Sequence, residues 1–240
     1  MGSLILISGG DGNLSNELKK CKDNHNLIAI PKKEMDITDI SSVINCLDEN
    51  KPDYIIHTAA ITRPMNLHIK NPSISIKTNI IGTANIVTEC IKRNIKLIYI
   101  STDYVYPGTD GGYCENSPLL PVNEYAWSKL GGECSVKLYK NSLILRMAIC
   151  EYPFPHKKAL SDIKKSYLYI NDAAKLILKL KDEIGIINVG GVPLSPYEFA
   201  IKENKNIEEI TLSDVTDVKM AKDSTMNISK LKKILNESDL

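Results

Sequence analysis

Leu97-Ile98-Tyr99-Ile100-Ser101-Thr102-Asp103 and, further on, Tyr125-Ala126-Trp127-Ser128-Lys129 are the segments on which the reading of this chain turns. The first is an unbroken apolar run ending in a hydroxyl pair, as expected for a buried strand whose end carries Thr102. In open α/β sheets ligands gather at the carboxyl ends of the strands. The second lies in a stretch predicted to be helical through Leu138. Its spacing places Tyr125 and Lys129 on one face, one turn apart. A free phenol titrates near ~10 and transfers protons poorly at neutral pH. A neighbouring ammonium favours the phenolate, and a hydroxyl such as Thr102 can hold a carbonyl oxygen beside it. Taken alone, Y-x-x-x-K is an ordinary surface pair; the Ser-Thr at the strand end before it makes it a candidate catalytic set.

Working outward, Leu4-Ile5-Leu6-Ile7 reads as a first strand covered on both faces. Ser8-Gly9-Gly10-Asp11-Gly12-Asn13-Leu14-Ser15 follows and opens a helix. Strand, glycine turn and helix start together present backbone N–H groups to a pyrophosphate, which marks Gly9, Gly12, Asn13 and Leu14 as cofactor-binding. The next strand, Asn26 to Ile30, is followed by Pro31-Lys32-Lys33 rather than by an acidic residue. Lysines there suit a 2′-phosphate, favouring NADP(H) over NAD(H) through Lys32; a solvated basic loop is the alternative. Tyr54-Ile55-Ile56-His57 is a third strand, and the small Ala59-Ala60 after it lets a cofactor approach the backbone. His57 is read as a packed strand residue. A single long helix is expected over Ser73–Arg93.

These pieces resemble a known family. Ser101–Gly108 (STDYVYPG), the P-x-N-x-Y-x-x-x-K run from Pro121 to Lys129 and Gly132-Glu133 are similar to the extended short-chain dehydrogenase/reductases, in particular the dTDP-4-dehydrorhamnose reductase-like, sugar-nucleotide-binding branch. The likeness covers about the first 150 residues well and the remainder weakly. It implies Thr102, Tyr125 and Lys129 as the catalytic set, with Thr102, Asp103 and Tyr125 at the substrate. It further implies Asp36 and Ile37 at the adenine, Ala59, Ala60, Ile61 and Thr62 along the dinucleotide, Lys129 at the nicotinamide ribose, and Asn79 as a support for the active-site backbone. Two departures stand out. Ser15 replaces the third glycine of G-x-x-G-x-x-G, and Ile61-Thr62-Arg63-Pro64 replaces an acidic turn, so substrate contacts there do not transfer.

The fold expected is α/β, a Rossmann-type doubly wound parallel sheet with a small C-terminal substrate lobe. Its dinucleotide-binding part spans 1–146 and its lobe, interleaved with the end of the sheet, spans 147–240. The polar loop between Pro107 and Pro121 is expected to cover substrate. A helix over Asn171–Lys181 is expected to be capped by Asn171 or Asp172, and another to begin at Ser195-Pro196.

The implied activity is NAD(P)H-dependent reduction of a 4-keto-6-deoxy nucleotide-sugar. Two alternatives stand beside it. One is a catalytically silent NADP-binding subunit like the regulatory subunit of methionine adenosyltransferase. The other is a sugar-nucleotide epimerase or dehydratase; Tyr104 after Asp103 counts against the dehydratase, whose acidic pair would be incomplete. With 30 basic and 29 acidic residues the formal charge is +1, which gives no footprint for nucleic acid or membrane. Leu4–Ile7 is too short for a signal peptide, and the six cysteines show no metal-ligand spacing, so free thiols in the cytoplasm and no metal are expected. A homodimer is left open.

Overall fold

The computed structural model describes residues 2–21, 25–215 and 219–236. The four predicted strands, β1 (Leu4–Ser8), β2 (Asn26–Ile30), β3 (Tyr54–His57) and β4 (Lys96–Thr102), are followed by β5 (Ser142–Cys150). The helices between them are α1 (Asn13–Lys20), α2 (Ile40–Asn50), the short α3 (Leu67–Lys70) and α4 (Pro72–Ser75), then α5 (Thr83–Arg93) and α6 (Glu124–Lys137). After β5 come β6 (Lys158–Leu160), β7 (Tyr167–Tyr169), α7 (Ile170–Lys179), β8 (Gly185–Val189), α8 (Pro196–Ala200), β9 (Glu208–Ile210) and α9 (Ser229–Ile234). The main sheet is parallel, in the order β2-β1-β3-β4-β5, and both β7 and β8 pair with β5. Leu143–Met147 pairs with β8, while Ala148–Cys150 pairs with β7, so β5 serves two partners along its length. A separate parallel pair, β6 and β9, builds the small lobe.

The strand pattern explains the two covering layers. Along β1 the side chains alternate: Ile5 and Ile7 join Ile56, Ile98 and Leu145 beneath α1, α7 and α9, while Leu6 joins Ile55, Leu97 and Ile144 beneath α2, α5 and α6. Each fully buried branched side chain contributes about 1.5–3 kcal/mol relative to exposure, so a strand buried on both faces is well fixed in register.

Three expectations are corrected. The helix expected over Ser73–Arg93 is interrupted: Ile76–Gly82 is a π-helical segment between α4 and α5. Such segments shift side chains out of α-helical phase and occur often at functional sites. Here it carries Asn79, whose amide accepts from the Ile61 N–H at 2.8 Å and donates to the Ile61 carbonyl at 2.9 Å and to Ser128 Oγ at 2.8 Å. The close contact between this segment and α6 requires Gly132, since a Cβ there would lie 2.5 Å from the Asn79 carbonyl oxygen. The helix cap of α7 is neither Asn171 nor Asp172, because the helix begins earlier, at Ile170 after an extended Tyr169. The 107–121 loop does not cover the cleft. It is tied to the C-terminal tail, with the Gly108 carbonyl accepting from Lys222 and Asp223 and the Tyr113 N–H donating to Thr225. Asn188 of β8 holds the same loop, donating to the Tyr113 carbonyl at 2.8 Å.

Candidate active site

The carboxyl ends of β1, β3, β4 and β5 open on a cleft of about 1090 Å³. One wall starts at Gly12-Asn13-Leu14, and the other carries Thr102, Tyr125 and Lys129. At the α1 end, Gly9 adopts φ +71°, and a Cβ on it would meet the Ala59 backbone at 2.8 Å, so the turn admits only glycine. Ser15, at the third glycine position, is fully buried and donates to the Gly9 carbonyl at 2.8 Å, with Thr58 Oγ1 at 2.9 Å. The departure from three glycines therefore ties the turn to β3 rather than loosening it. The first-turn N–H groups of α1 have no intrahelical partner and face an anion at least cost.

Thr102 ends β4 as expected, and its hydroxyl donates to Asp103 Oδ1 at 3.1 Å. Asn123 caps α6 by accepting from the Ala126 N–H, which places Tyr125 in the first turn and Lys129 one turn on. The Tyr125 ring packs beside His68, with centroids 5.2 Å apart. Burial pushes the Tyr125 phenol above its ordinary range, helped by the Asp103 and Tyr104 charges; the Lys165 ammonium and the Thr102 hydroxyl pull the other way. Lys129 is 4% exposed, and its ammonium sits 4.2 Å from the centre of the Tyr99 ring. Burial holds its amine down at about 7, against an upward pull from Glu133. His57 is a packed strand residue, hydrogen-bonded to Ser8 and Thr83, and burial keeps it neutral with a pKa of about 3.

The buried amine gives a stability prediction. Lys129→Met should raise the melting temperature by about 3 °C or more at pH 6.5, where a chain of this size gains about 2–4 °C per kcal/mol. The Lys129 pKa is lower folded than unfolded, so the cost of charging it is complete below pH about 7 and is relieved as pH rises towards 10.5. The gain should therefore shrink by pH 9. Calorimetric scans at both pH values check this, and a gain that grows with pH would contradict it.

The predicted cofactor residues are distributed unevenly. Gly12, Asn13, Leu14, Ala60, Thr62 and Lys129 line the cleft. Gly9, Ala59 and Ile61 form the turns behind it, through the Gly9–Ala59 approach and the Asn79–Ile61 bonds. Ile37 is 4% exposed and packs in the core against Gly82. Asp36 accepts from the Thr38 N–H and hydroxyl, and Lys32 lies 3.6 Å from it on an exposed loop. Asp103 is 2% exposed and its carboxylate is occupied: Oδ2 accepts from Lys165 Nζ and from Ser224 Oγ, each at 2.6 Å. Lys165, Ser224 and Glu151 belong to the site but were missed in the sequence. Glu151 accepts from Arg63 at 3.0 Å and from Asn13 at 3.2 Å across the cleft mouth. Only the return of β5, β7 and the tail to the sheet brings them there. No group of three or more His, Cys, Asp or Glu side chains among the described residues is placed to hold a metal ion. No helix among them is long and apolar enough to cross a membrane.

Comparison with known proteins follows the same lines. Residues 3–151 match the RmlD substrate binding domain. A probable low-salt glycan biosynthesis reductase, Agl14 of Haloferax volcanii, is 38% identical over 49% of this chain, but the match spans only 40% of that relative's length. The dTDP-4-dehydrorhamnose reductase of Aggregatibacter actinomycetemcomitans is 29% identical over 82% of this chain and 76% of its own. Methionine adenosyltransferase 2 subunit beta of Xenopus tropicalis is also related, at 32% identity over 62% of this chain and 47% of its own. Among solved structures, the dTDP-4-dehydrorhamnose reductase of Bacillus anthracis, in complex with NADP, superposes with a TM-score of 0.88 at 27% identity, covering 97% of this chain and 93% of that one. On sequence and fold together, the chain belongs to the RmlD substrate binding domain family, the dTDP-4-dehydrorhamnose reductase-like branch of the extended short-chain dehydrogenase/reductases.

Proposed function

We propose that the protein reduces a 4-keto-6-deoxy nucleotide-sugar with NADPH, as a cytoplasmic enzyme. The observation that carries this reading is that Thr102, Tyr125 and Lys129 share the wall of the cleft whose far end is the N-terminus of α1. The residues fit the cofactor. A turn that admits only glycine at Gly9 and the free N–H groups of α1 suit a diphosphate, and small Ala60 leaves room along β3. Gly12–Leu14 would hold the diphosphate, Asp36 the adenosine side, Lys32 a 2′-phosphate, and Lys129 the nicotinamide ribose. When bound, the reduced nicotinamide supplies hydride to the ketone carbon. Thr102 turns its hydroxyl from Asp103 to the ketone oxygen, and Tyr125 delivers its proton to that oxygen as negative charge develops there. The 147–240 part supplies Phe154, His156 and Lys165 to the cleft and would act as the substrate lobe.

NADPH oxidation, followed by absorbance with a panel of 4-keto-6-deoxy sugar nucleotides, tests the reading. Binding of NADPH without turnover on any of them would favour a silent regulatory subunit instead. For cofactor choice, Lys32→Glu/Lys33→Glu should weaken NADPH about tenfold or more, the scale of one lost charge-assisted contact, and leave NADH nearly unchanged. Fluorescence titration of both cofactors checks this. Equal loss for the two would remove the lysines from 2′-phosphate recognition.

A further inference from the structure

Behind the Thr102–Tyr125 pair lies a buried charge cluster that the catalytic set does not include. Lys165 is 2% exposed and sits just before β7. Its backbone exchanges hydrogen bonds with Leu194 at 2.9 and 3.0 Å, and Ser224 in the tail donates its N–H to the neighbouring Lys164 carbonyl. Two chain segments far apart in sequence thus deliver Lys165 and Ser224 to one carboxylate, that of Asp103. The Lys165 ammonium donates to Asp103 Oδ2 at 2.6 Å and lies 3.5 Å from the centre of the Tyr104 ring, while the other carboxylate oxygen takes the Thr102 hydroxyl. Lys129, by contrast, is turned over Tyr99.

We propose that Lys165 is a second active-site cation, a positioning residue whose pairing with Asp103 sets the charge that the Tyr125 hydroxyl faces. This rests on the reduction reading above. The groups acting on that hydroxyl are Asp103 and Tyr104 from the turn after β4 and Lys165 from the approach to β7; Tyr167 and Lys129 line the same cleft, and the His68 ring of α3 packs beside the Tyr125 ring. Asp103 unpaired would oppose the phenolate and make Tyr125 a weaker proton donor. Lys165 unpaired would do the reverse. Inside the protein such effects are large because water does not screen them. Paired, their opposite effects on the phenol largely offset each other, and the pairing fixes the carboxylate that accepts from Thr102. The shifts already described have these signs: Asp103 raises the Tyr125 pKa and Lys165 lowers it. Burial works to discharge Lys165, but Asp103, with Tyr104 and Tyr167, holds its ammonium above the ordinary range.

The test is the pH dependence of kcat in four forms: wild type, Lys165→Met, Asp103→Asn and the double variant. Tyr125 must be protonated to donate, so activity falls as pH rises through its pKa. In Lys165→Met this basic limb should move up by a pH unit or more, with plateau turnover down about tenfold, a weaker acid being a poorer donor. In Asp103→Asn it should move down. In the double variant, again neutral, the limb should return near its wild-type position, and Lys165→Arg should keep the wild-type limb. A merely structural pair would lower the melting temperature of both single variants and leave the limbs coincident, which would overturn the proposal. If wild type reduces no keto-sugar, the reduction reading falls separately. The pairing is then read from the Tyr125 13Cζ resonance, assigned by its loss in Tyr125→Phe. Asp103→Asn should ionise at lower pH than Lys165→Met, and ionisation at no lower pH would overturn it.

Discussion

Tyr125→Phe should lower turnover by about 10²–10⁴-fold, the usual contribution of a positioned general acid, with NADPH affinity intact. The substitution removes one oxygen and keeps the ring, which packs beside His68 at 5.2 Å, so α6 and the cleft wall should be unchanged. Two companions give an ordering. Lys129→Met should lower turnover and NADPH affinity together, since it removes a cleft charge and the proposed ribose contact. Thr102→Val, close in shape, should lower turnover less than Tyr125→Phe, because the phenol still donates its proton. Turnover comes from NADPH absorbance and affinity from calorimetry. Equal turnover in wild type and Tyr125→Phe would remove Tyr125 from the chemistry.

Arg146→Met should destabilise the fold by about 3–5 kcal/mol, the scale of a buried ion pair broken on one side. Arg146 and Glu133 are each 2% exposed and joined at 2.5 Å. Arg146 also donates to Tyr106 at 2.8 Å, Tyr106 donates to Asn188 at 2.7 Å, and Ser101 donates to Glu133 at 2.6 Å. The network fastens α6 to β4, β5 and β8 directly beneath the catalytic wall. Loss of the guanidinium leaves the Glu133 carboxylate buried without its counter-ion. Replacing both, as Arg146→Met/Glu133→Leu, should recover much of the loss, since an apolar pair of similar volume costs little there. Urea unfolding measures all three. A loss under 1 kcal/mol in Arg146→Met would mean the carboxylate finds another partner or takes up a proton.

The features legible in the sequence are those whose physics is local. Apolar runs of three or four residues mark β1, β3 and β4 because strands buried on both faces need continuous apolar side chains. The glycine turn before α1 and the four-residue spacing of Tyr125 and Lys129 are readable because backbone conformation and helical phase act over a few residues. Ser195-Pro196 was readable as a helix start for the same reason, and the structure adds the reciprocal Glu198 bond of a capping box. Sequence alone therefore determined the doubly wound parallel sheet, the place of the cleft at its strand ends, and the candidate set Thr102, Tyr125 and Lys129.

Tertiary structure decided the rest. The π-helical turn at Ile76–Gly82 forms where Asn79 must reach Ile61 and Ser128, contacts 18 and 49 residues away that no propensity encodes. Ser15 reads as a missing glycine until β3 places Thr58 against it. The partners of the buried Asp103 carboxylate were likewise invisible, because Lys165 and Ser224 lie 62 and 121 residues from it. A buried charge takes its partner from whatever segment the fold returns to it. That choice is made by the return of β5, β7 and the tail to one sheet end, not by spacing along the chain.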